Sequence, residues 1–385
     1  MLAGIRNSRY RDFFIILPLI IGFLSLLVLA GSGMLPGSAE EFVVAGAMVA
    51  PFVILALLAY TGEQNRTARC LAILWLLCLL FCIATMSFIF SLDPAAAWSD
   101  DPDALDRYLE SLSAENAAGL LLLPFGTALL CLIGFSRAFR GLLARVLPFD
   151  PDSFIHTAGL VCILALVMIP VIPLIITGNA PFLNPVMQRM LGIGLEEPGS
   201  TVRLDAFMLI WTVIGSFFMV GLWLRRDRSS AFERLGLVWP TARQVATGIV
   251  TGIILVAVFW ILDDAVTALF AAYGIPTTDD TLVNNLFLAS FTPLAAVMAS
   301  VSAGLGEELS IRGVIQPRFG IVLSALVFAS LHAYQYAWDG LLGVFLVGIC
   351  FGMLRKRTNT TTSAISHGMY DLTLFALIMA GITTL

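Results

Sequence analysis

Charged side chains are scarce in this sequence. Only 12% of its 385 residues are Asp, Glu, Lys or Arg, against roughly 25% in soluble domains. Lysine is almost absent, since Lys356 stands alone beside 20 arginines. A net charge of −5 and a pI near 5.2 argue against a nucleic-acid partner. With 59% hydrophobic residues and a mean hydropathy of +0.94, the composition indicates a membrane protein.

Cysteine gives no sign of disulfides or of a metal centre. All six cysteines lie in or at the edge of apolar runs, where a thiol packs as a small hydrophobic side chain. They are Cys70, Cys78, Cys82, Cys131, Cys162 and Cys350. Two common hydrolase motifs are also missing, since neither H-E-x-x-H nor G-x-S-x-G occurs. Hydrolytic chemistry here would need a different set of residues.

Long apolar runs dominate what is present. A helix needs about 20 mostly apolar residues to cross the bilayer core, and eleven runs qualify. They lie near 13–31, 42–60, 70–91, 117–136, 158–177, 206–224, 245–262, 286–304, 319–335, 340–354 and 361–383. The sequence therefore predicts an all-α, polytopic helical bundle of about 11 transmembrane helices. The length of the first run predicts a retained signal anchor rather than a cleaved signal peptide.

Basic residues predict the orientation of these helices. Lysine and arginine favour cytoplasmic loops, and with the N-terminus inside, 18 of the 21 basic residues fall on the inner side. Only Arg107, Arg189 and Arg203 fall outside. The near absence of lysine suggests a GC-rich, bacterial genome. We therefore expect an integral protein of a bacterial inner membrane with a cytoplasmic N-terminus.

Ionisable residues divide the chain into two parts. Residues 1–227 hold six predicted spans that are nearly free of buried ionisable groups, and their function is not indicated. Residues 228–385 hold five, and charged or titratable groups interrupt the apolar runs there. These groups are Glu307, Glu308, Arg312, His332, His367 and Asp371. Because ionisable groups inside a membrane are costly, they tend to mark functional sites.

These groups occur at helical spacings. In "EELSIR", Glu308 and Arg312 are four residues apart and can pair on one helix face, while Glu307 points about 100° away. In "FASLH", Phe328 and His332 share a face. In "HGMYD", His367 and Asp371 do the same. Each pair alone is also compatible with a helix end at the interface or a satisfied core histidine. Their joint occurrence favours a functional site.

The three motifs resemble those of a known family. The order EExxxR, FxxxH and HxxxN/D is that of the CPBP intramembrane proteases, which include CAAX proteases and bacteriocin-processing enzymes and are also called Abi proteins. The longer stretches "EELSIRGVIQ" and "SAISHGMYD" are similar to the family as well. The resemblance covers roughly residues 228–385. It implies an intramembrane protease domain there.

The resemblance also implies a role for each residue. Glu307 would be the catalytic carboxylate, and His332 would help it to hold and activate a water. His367 and Asp371 would match the pair that stabilises the oxyanion. Glu308 and Arg312 would be the supporting acid and base, and Phe328 the packing aromatic. Many members have asparagine where this chain has Asp371, so that residue is either protonated or orients His367.

Chemical reasoning agrees with hydrolysis by an activated water. Peptide hydrolysis needs a general base near a water and donors aimed at the oxyanion, and both act more strongly in a dry cavity. The expected enzyme is an intramembrane endopeptidase that acts on a membrane-associated peptide or protein without a cofactor. One alternative is a zinc protease with Glu307, His332, His367 and Asp371 as ligands. Another is a transporter or immunity scaffold, in which Asp263 and Asp264 could belong to an ion path.

Two questions stay open at this level. The predicted span boundaries put Glu307 and His367 within about two helical turns of the inner surface but His332 roughly 20 Å deep. These residues can meet only if the connection 313–322 dips into the membrane or its helix starts late. The substrate is also open, and a bacterial source argues against a prenylated CAAX protein.

Overall fold

The computed structural model describes residues 11–99, 101–190, 199–287 and 292–382, and this part of the chain is helical without a β-sheet. In chain order the helices are α1 Arg11–Gly31, α2 Gly37–Gly62, α3 Arg66–Phe90, α4 Pro94–Ala97, α5 Ala104–Ser111, α6 Ala114–Cys131, α7 Arg137–Leu143, α8 Phe154–Met168, α9 Ile172–Thr177, α10 Pro185–Met190, α11 Ser200–Met219, α12 Arg228–Leu235, α13 Ala242–Ala272, α14 Asp280–Leu286, α15 Pro293–Val301, a π-helical segment Ser302–Ile315, α16 Gln316–Leu331, α17 Trp338–Arg357 and α18 Thr360–Met379. Short 3₁₀ turns lie at Leu132–Phe135, Pro181–Leu183 and His332–Tyr334.

Eight helical stretches in the described residues are long and apolar enough to cross a membrane. They are Gly37–Gly62, Arg66–Phe90, Ala114–Phe135, Phe154–Thr177, Ser200–Met219, Ala242–Ala272, Pro293–Tyr334 and Trp338–Arg357. Of the other predicted runs, the first forms a shorter apolar helix, two merge within Pro293–Tyr334, and the last corresponds to α18. The protein is thus an all-α integral membrane bundle, as predicted. The retention of this first run as a signal anchor stays a prediction.

The stretch from Pro293 to Tyr334 is a helix that folds back on itself. Gly320 has φ 77° and ψ 173°, a backbone conformation open essentially to glycine alone. On either side of it, the π-helical segment and α16 pack against each other. The Arg312 guanidinium lies 4.6 Å from the centroid of the Phe328 ring, and each residue is eight positions from Gly320. The chain therefore reverses at Gly320.

The predicted span 286–304 was wrong in its boundaries. Residues Asp280–Leu286 form the separate helix α14, and the long helix begins only at Pro293 and continues to Ile315. The first arm of the folded-back helix therefore runs from Pro293 to Gly320. Glu307 lies 14 residues after its start and 13 before its end, far from both. Hydropathy alone predicts that this span ends near residue 304, because the polar residues of the "EELSIR" motif interrupt the apolar run there.

Glycines bring α18 close to its neighbours. A Cβ on Gly304 would lie 2.6 Å from the Gly368 nitrogen, and one on Gly252 would lie 2.5 Å from the Ser366 oxygen. Both separations are too short for a real side chain, so the backbones touch at these glycines. Because Gly304 comes four residues before Glu308 and Gly368 directly follows His367, this packing sets Glu308 beside His367.

Helix α11 joins the two predicted parts of the chain. It packs along α2 in the N-terminal part and along the π-helical segment in the C-terminal part. Ser302 donates a hydrogen bond to the Asp205 carbonyl at 2.9 Å, and Arg203 pairs with Glu41 at 2.9 Å. Contacts therefore cross the predicted domain boundary at residue 227.

Candidate active site

Glu308 is a fully buried carboxylate with three partners. Its Oε1 lies 3.2 Å from His367 Nδ1, and its Oε2 accepts a hydrogen bond from the Ser363 hydroxyl at 2.6 Å. The Arg312 Nε lies 3.5 Å from the same Oε2. The predicted contact between Glu308 and Arg312 is therefore present. His367 and Ser363 come from α18, so Glu308 also ties the π-helical segment to that helix.

Arg312 is as deeply buried as Glu308, and both have no exposed side-chain surface. Its Nη2 donates to the Gly348 carbonyl on α17 at 3.1 Å. Its guanidinium covers the face of the Phe328 ring, an arrangement worth about 2 kcal/mol when water is excluded. Arg312 thus holds three helices around the buried acid.

His367 lies between two carboxylates. Its Nδ1 faces Glu308, and its Nε2 lies 3.6 Å from the Asp371 Oδ2. A carboxylate only accepts hydrogen bonds, so the Nδ1 that faces Glu308 carries a hydrogen. A second hydrogen on Nε2 would make the ring positive between two negative groups. The ring also stacks on Phe351 with centroids 4.7 Å apart. Asp371 keeps 20% of its side chain exposed, whereas His367 keeps 6%.

A cavity of about 530 Å³ brings the remaining motif residues together. Glu307, His332, His367, Asp371 and Phe328 all line it. Glu307 is partly exposed there, and within the described residues its carboxylate has no hydrogen-bond or ion-pair partner. The two adjacent glutamates therefore differ: Glu308 is occupied by protein groups, and Glu307 faces open space.

His332 lines this cavity, and one of its two ring nitrogens is engaged by the backbone. Its Nδ1 lies 2.8 Å from the Phe328 carbonyl, and because a carbonyl only accepts, Nδ1 must carry the hydrogen. Nε2 is then left with a lone pair that can accept a proton or a water hydrogen. The Phe328 ring touches His332 edge-on at 4.8 Å and lies 5.7 Å from His367. The fold-back at Gly320 thus removes the predicted difference in depth between Glu307 and His332.

Other cavity residues were not singled out as site residues in the sequence. Helix α11 contributes Asp205, Met208 and Thr212, although it belongs to the predicted N-terminal part. Ser363 could have been found, because Ser363, His367 and Asp371 follow one another at intervals of four and share a helix face. Phe351 carries no such signal, since its contact with His367 depends on how α17 and α18 pack.

The cavity is acidic. Seven carboxylates line it, and no arginine or lysine in the described part of the chain does so. The carboxylates are Asp205, Asp263, Asp264, Asp280, Glu307, Asp339 and Asp371. Within the described ranges, no three His, Cys, Asp or Glu side chains are grouped so that they could hold a metal ion. The four ligands of the zinc alternative therefore do not converge in this conformation.

Comparison with known proteins supports the family resemblance. Residues 289–373 match the family model described as type II CAAX prenyl endopeptidase Rce1-like, a shorter stretch than the resemblance at residues 228–385. Neither the curated proteins nor the solved structures contain a match. The matched stretch spans the helices that carry Glu307, Glu308, Arg312, His332, His367 and Asp371. Residues 289–373 therefore match the CPBP/CAAX protease family as an Rce1-like domain.

Proposed function

We propose that this protein hydrolyses a peptide bond of a membrane-associated substrate with a water molecule that Glu307 and His332 activate. The observation that carries the proposal is the contrast between adjacent glutamates. Glu308 is occupied by Ser363, His367 and Arg312, whereas the Glu307 carboxylate faces the cavity with no partner among the described residues. A general base must be free to reach its water, and only Glu307 of the two is free.

The cavity residues suggest a sequence of proton movements. Glu307 takes one proton from the water, while His332 Nε2 accepts a hydrogen bond from the hydrogen that stays on the water oxygen and so orients the nucleophile. The water oxygen attacks the substrate carbonyl carbon, and Glu307 then passes its proton to the departing amine. Both steps gain when a bound substrate displaces water from the cavity, because charges then interact more strongly.

His367 is the proposed oxyanion donor. It lines the cavity, and its Nε2 lies 3.6 Å from the Asp371 Oδ2, too far for a hydrogen bond, so a hydrogen on Nε2 is not held by that carboxylate. The developing oxyanion can take over this hydrogen. Asp371 then orients His367 in the resting enzyme through its negative charge at 3.6 Å, and Glu308 holds the opposite nitrogen at 3.2 Å. This assignment favours orientation over protonation as the role of Asp371.

A zinc mechanism with the same residues is the main alternative. It would require His367 to give up a carboxylate contact, because both of its ring nitrogens face carboxylates. Prolonged chelation of the purified protein discriminates between the mechanisms. We expect cleavage to survive chelation, and a loss that one equivalent of zinc restores would instead make these residues ligands.

The test of function is a comparison of membrane proteomes. Cells with the wild-type protein and cells with Glu307→Gln are compared for protein fragments, and we expect fragments that require Glu307. The matched control is Glu233→Gln, which changes an exposed glutamate on α12 away from the cavity. Loss of a general base typically lowers a rate by about 10² to 10⁴. Identical fragments in wild-type and Glu307→Gln membranes would contradict the proposal and leave a transporter or scaffold role. Whether the fragments come from prenylated proteins, as the family name suggests, is read from the same data.

A further inference from the structure

Asp339 is a buried carboxylate outside the three motifs. It is 2% exposed and lies in the first turn of α17, at the wall of the cavity. Four donors converge on it: the Thr278 nitrogen at 2.9 Å, the Thr278 hydroxyl at 2.7 Å, the Thr267 hydroxyl at 3.0 Å and the Gly340 nitrogen at 2.8 Å. Three of these donors come from α13 and the loop after it. Asp339 therefore fixes that loop to α17.

Thr278 connects Asp339 to the turn that carries His332. Its hydroxyl gives its hydrogen to Asp339, so its oxygen is free to accept the Ala337 N–H at 3.0 Å. The preceding residue, Tyr336, donates its N–H to the His332 carbonyl at 3.0 Å. The Tyr336 ring lies parallel to the His332 ring, with centroids 6.2 Å apart and 23° between the planes.

Close packing leaves Tyr336 little freedom. A Cβ on Gly340 would lie 2.8 Å from the Tyr336 Cβ and 3.1 Å from the Thr278 hydroxyl oxygen. Ala333 and Ala337 are buried behind the turn against Leu174 of α9. Backbone, ring and hydroxyl contacts thus lead in one continuous series from Asp339 to the imidazole.

We propose that Asp339 and Thr278 are positioning residues for His332, which hold its imidazole in the orientation that presents Nε2 to the cavity. The inference rests on the proposed function, because it gives His332 a task in the reaction. Neither residue needs to touch substrate for this role. Misplacement of a catalytic group by about 1 Å can lower a rate roughly 10²-fold, so a distant support can matter to the rate.

The test uses the three histidines of the chain as reporters. Protein labelled with ¹⁵N-histidine in lipid nanodiscs gives three imidazole signals, which His156→Gln and His332→Gln assign. In the wild type we expect His332 to be a single tautomer with hydrogen on Nδ1. Thr278→Val removes the hydroxyl at nearly constant volume, and we expect the two nitrogen signals of His332 to become averaged. Unchanged His156 and His367 signals would show that the fold is kept.

Two variants separate positioning from general stability. Thr278→Ser keeps the hydroxyl and should restore the wild-type signals. Thr267→Val removes another donor to Asp339, one that forms no hydrogen bond with the turn among the described residues, and it should leave His332 unchanged. If Thr278→Val does not fold, Asp339→Asn replaces it, because this change keeps the shape and removes one acceptor oxygen. Unchanged His332 signals in Thr278→Val, or equal effects of Thr267→Val and Thr278→Val, would overturn the inference.

Cleavage provides the second readout. For the fragments that depend on Glu307, we expect Thr278→Val to lower the cleavage rate roughly 10- to 100-fold and Thr278→Ser to leave it near the wild-type rate. If no fragment depends on Glu307, the proposed function fails, and the histidine signals still decide whether Thr278 orients His332. If fragments depend on Glu307 but Thr278→Val cleaves at the wild-type rate, the positioning role alone fails.

Discussion

Glu308, Arg312, His367 and Asp371 form a cluster whose formal charges cancel when the imidazole carries two hydrogens. An isolated charge at membrane depth costs about 2.5 to 3.5 kcal/mol even on insertion scales. Mutual pairing at 3.2 to 3.6 Å offsets this cost. Glu307 is not one of the four residues whose charges cancel, which agrees with a catalytic rather than a structural role for its carboxylate.

Ser363 should stabilise the charge state of Glu308. A hydrogen bond to a charged group contributes about 1.5 to 3 kcal/mol, and the Ser363 hydroxyl lies 2.6 Å from Glu308 Oε2. We expect Ser363→Ala to lower the free energy of unfolding by about that amount, measured by thermal or denaturant unfolding in detergent.

Ser366 provides the control for this prediction. It lies one turn further along α18 and is equally buried, but its hydroxyl has no hydrogen-bond partner within the described chain. Ser366→Ala should therefore be nearly neutral. Equal losses of stability in Ser363→Ala and Ser366→Ala would show that the hydrogen bond to Glu308 contributes little.

At the scale of the element, the reversal at Gly320 places the segment that carries Glu307 beside the helix that leads to His332. Any other residue there would be held at a backbone conformation that costs about 1 to 3 kcal/mol. A Cβ at Gly320 would meet only the Leu147 side chain, at 3.4 Å, so strain rather than crowding is the obstacle. We expect Gly320→Ala to reduce both the melting temperature and Glu307-dependent cleavage.

Gly126→Ala is the matched change for this prediction. Gly126 lies inside α6 with open space where its Cβ would go, and alanine in a helix interior is favoured over glycine by about 1 kcal/mol. The melting temperature of the Gly126→Ala protein should therefore equal or exceed that of the wild type. A Gly320→Ala protein that is as stable and active as the wild type would mean that the reversal does not need glycine.

Local patterns predicted much of this element, and packing determined the rest. The pair of Glu308 and Arg312 follows from spacing, because helical neighbours four residues apart meet wherever the helix lies. The start of the arm at Pro293 did not follow, since the hydropathy of residues 286–304 hides a boundary in their middle. The contact of Ser363 with Glu308 joins residues 55 positions apart, and nothing local specifies it.

At the scale of the whole molecule, both predicted parts of the chain build the cavity. Helix α11 lines it from the N-terminal part, and α13 to α18 line it from the C-terminal part. Three contacts gather arginine-rich loops at one end of the bundle: Arg225 with the Tyr60 carbonyl, Arg234 with the Val314 carbonyl and Thr360 with the Gly236 carbonyl. The contact between Thr278 and Asp339 lies at the opposite end.

This separation gives a prediction for topology. By the preference of arginine for cytoplasmic loops, reporter fusions after Leu224 and Arg357 should be cytoplasmic, and a fusion at Leu385 should be external. Activity of paired alkaline phosphatase and fluorescent-protein reporters measures this. A cytoplasmic signal at Leu385 would contradict the predicted number of crossings and would reopen the question of which side of the membrane the active site faces.

The fold-back at Gly320 also bears on how the protein is made. The stretch from Pro293 to Tyr334 is 42 residues long, about twice what one crossing requires. If its first arm entered lipid alone, Arg312 would meet hydrocarbon before Phe328 had been synthesised to cover it. We therefore expect the two arms to leave the translocon together as a helical hairpin. Substitutions near Gly320 that prevent the hairpin would then impair membrane insertion of the protein, whether or not they affect catalysis.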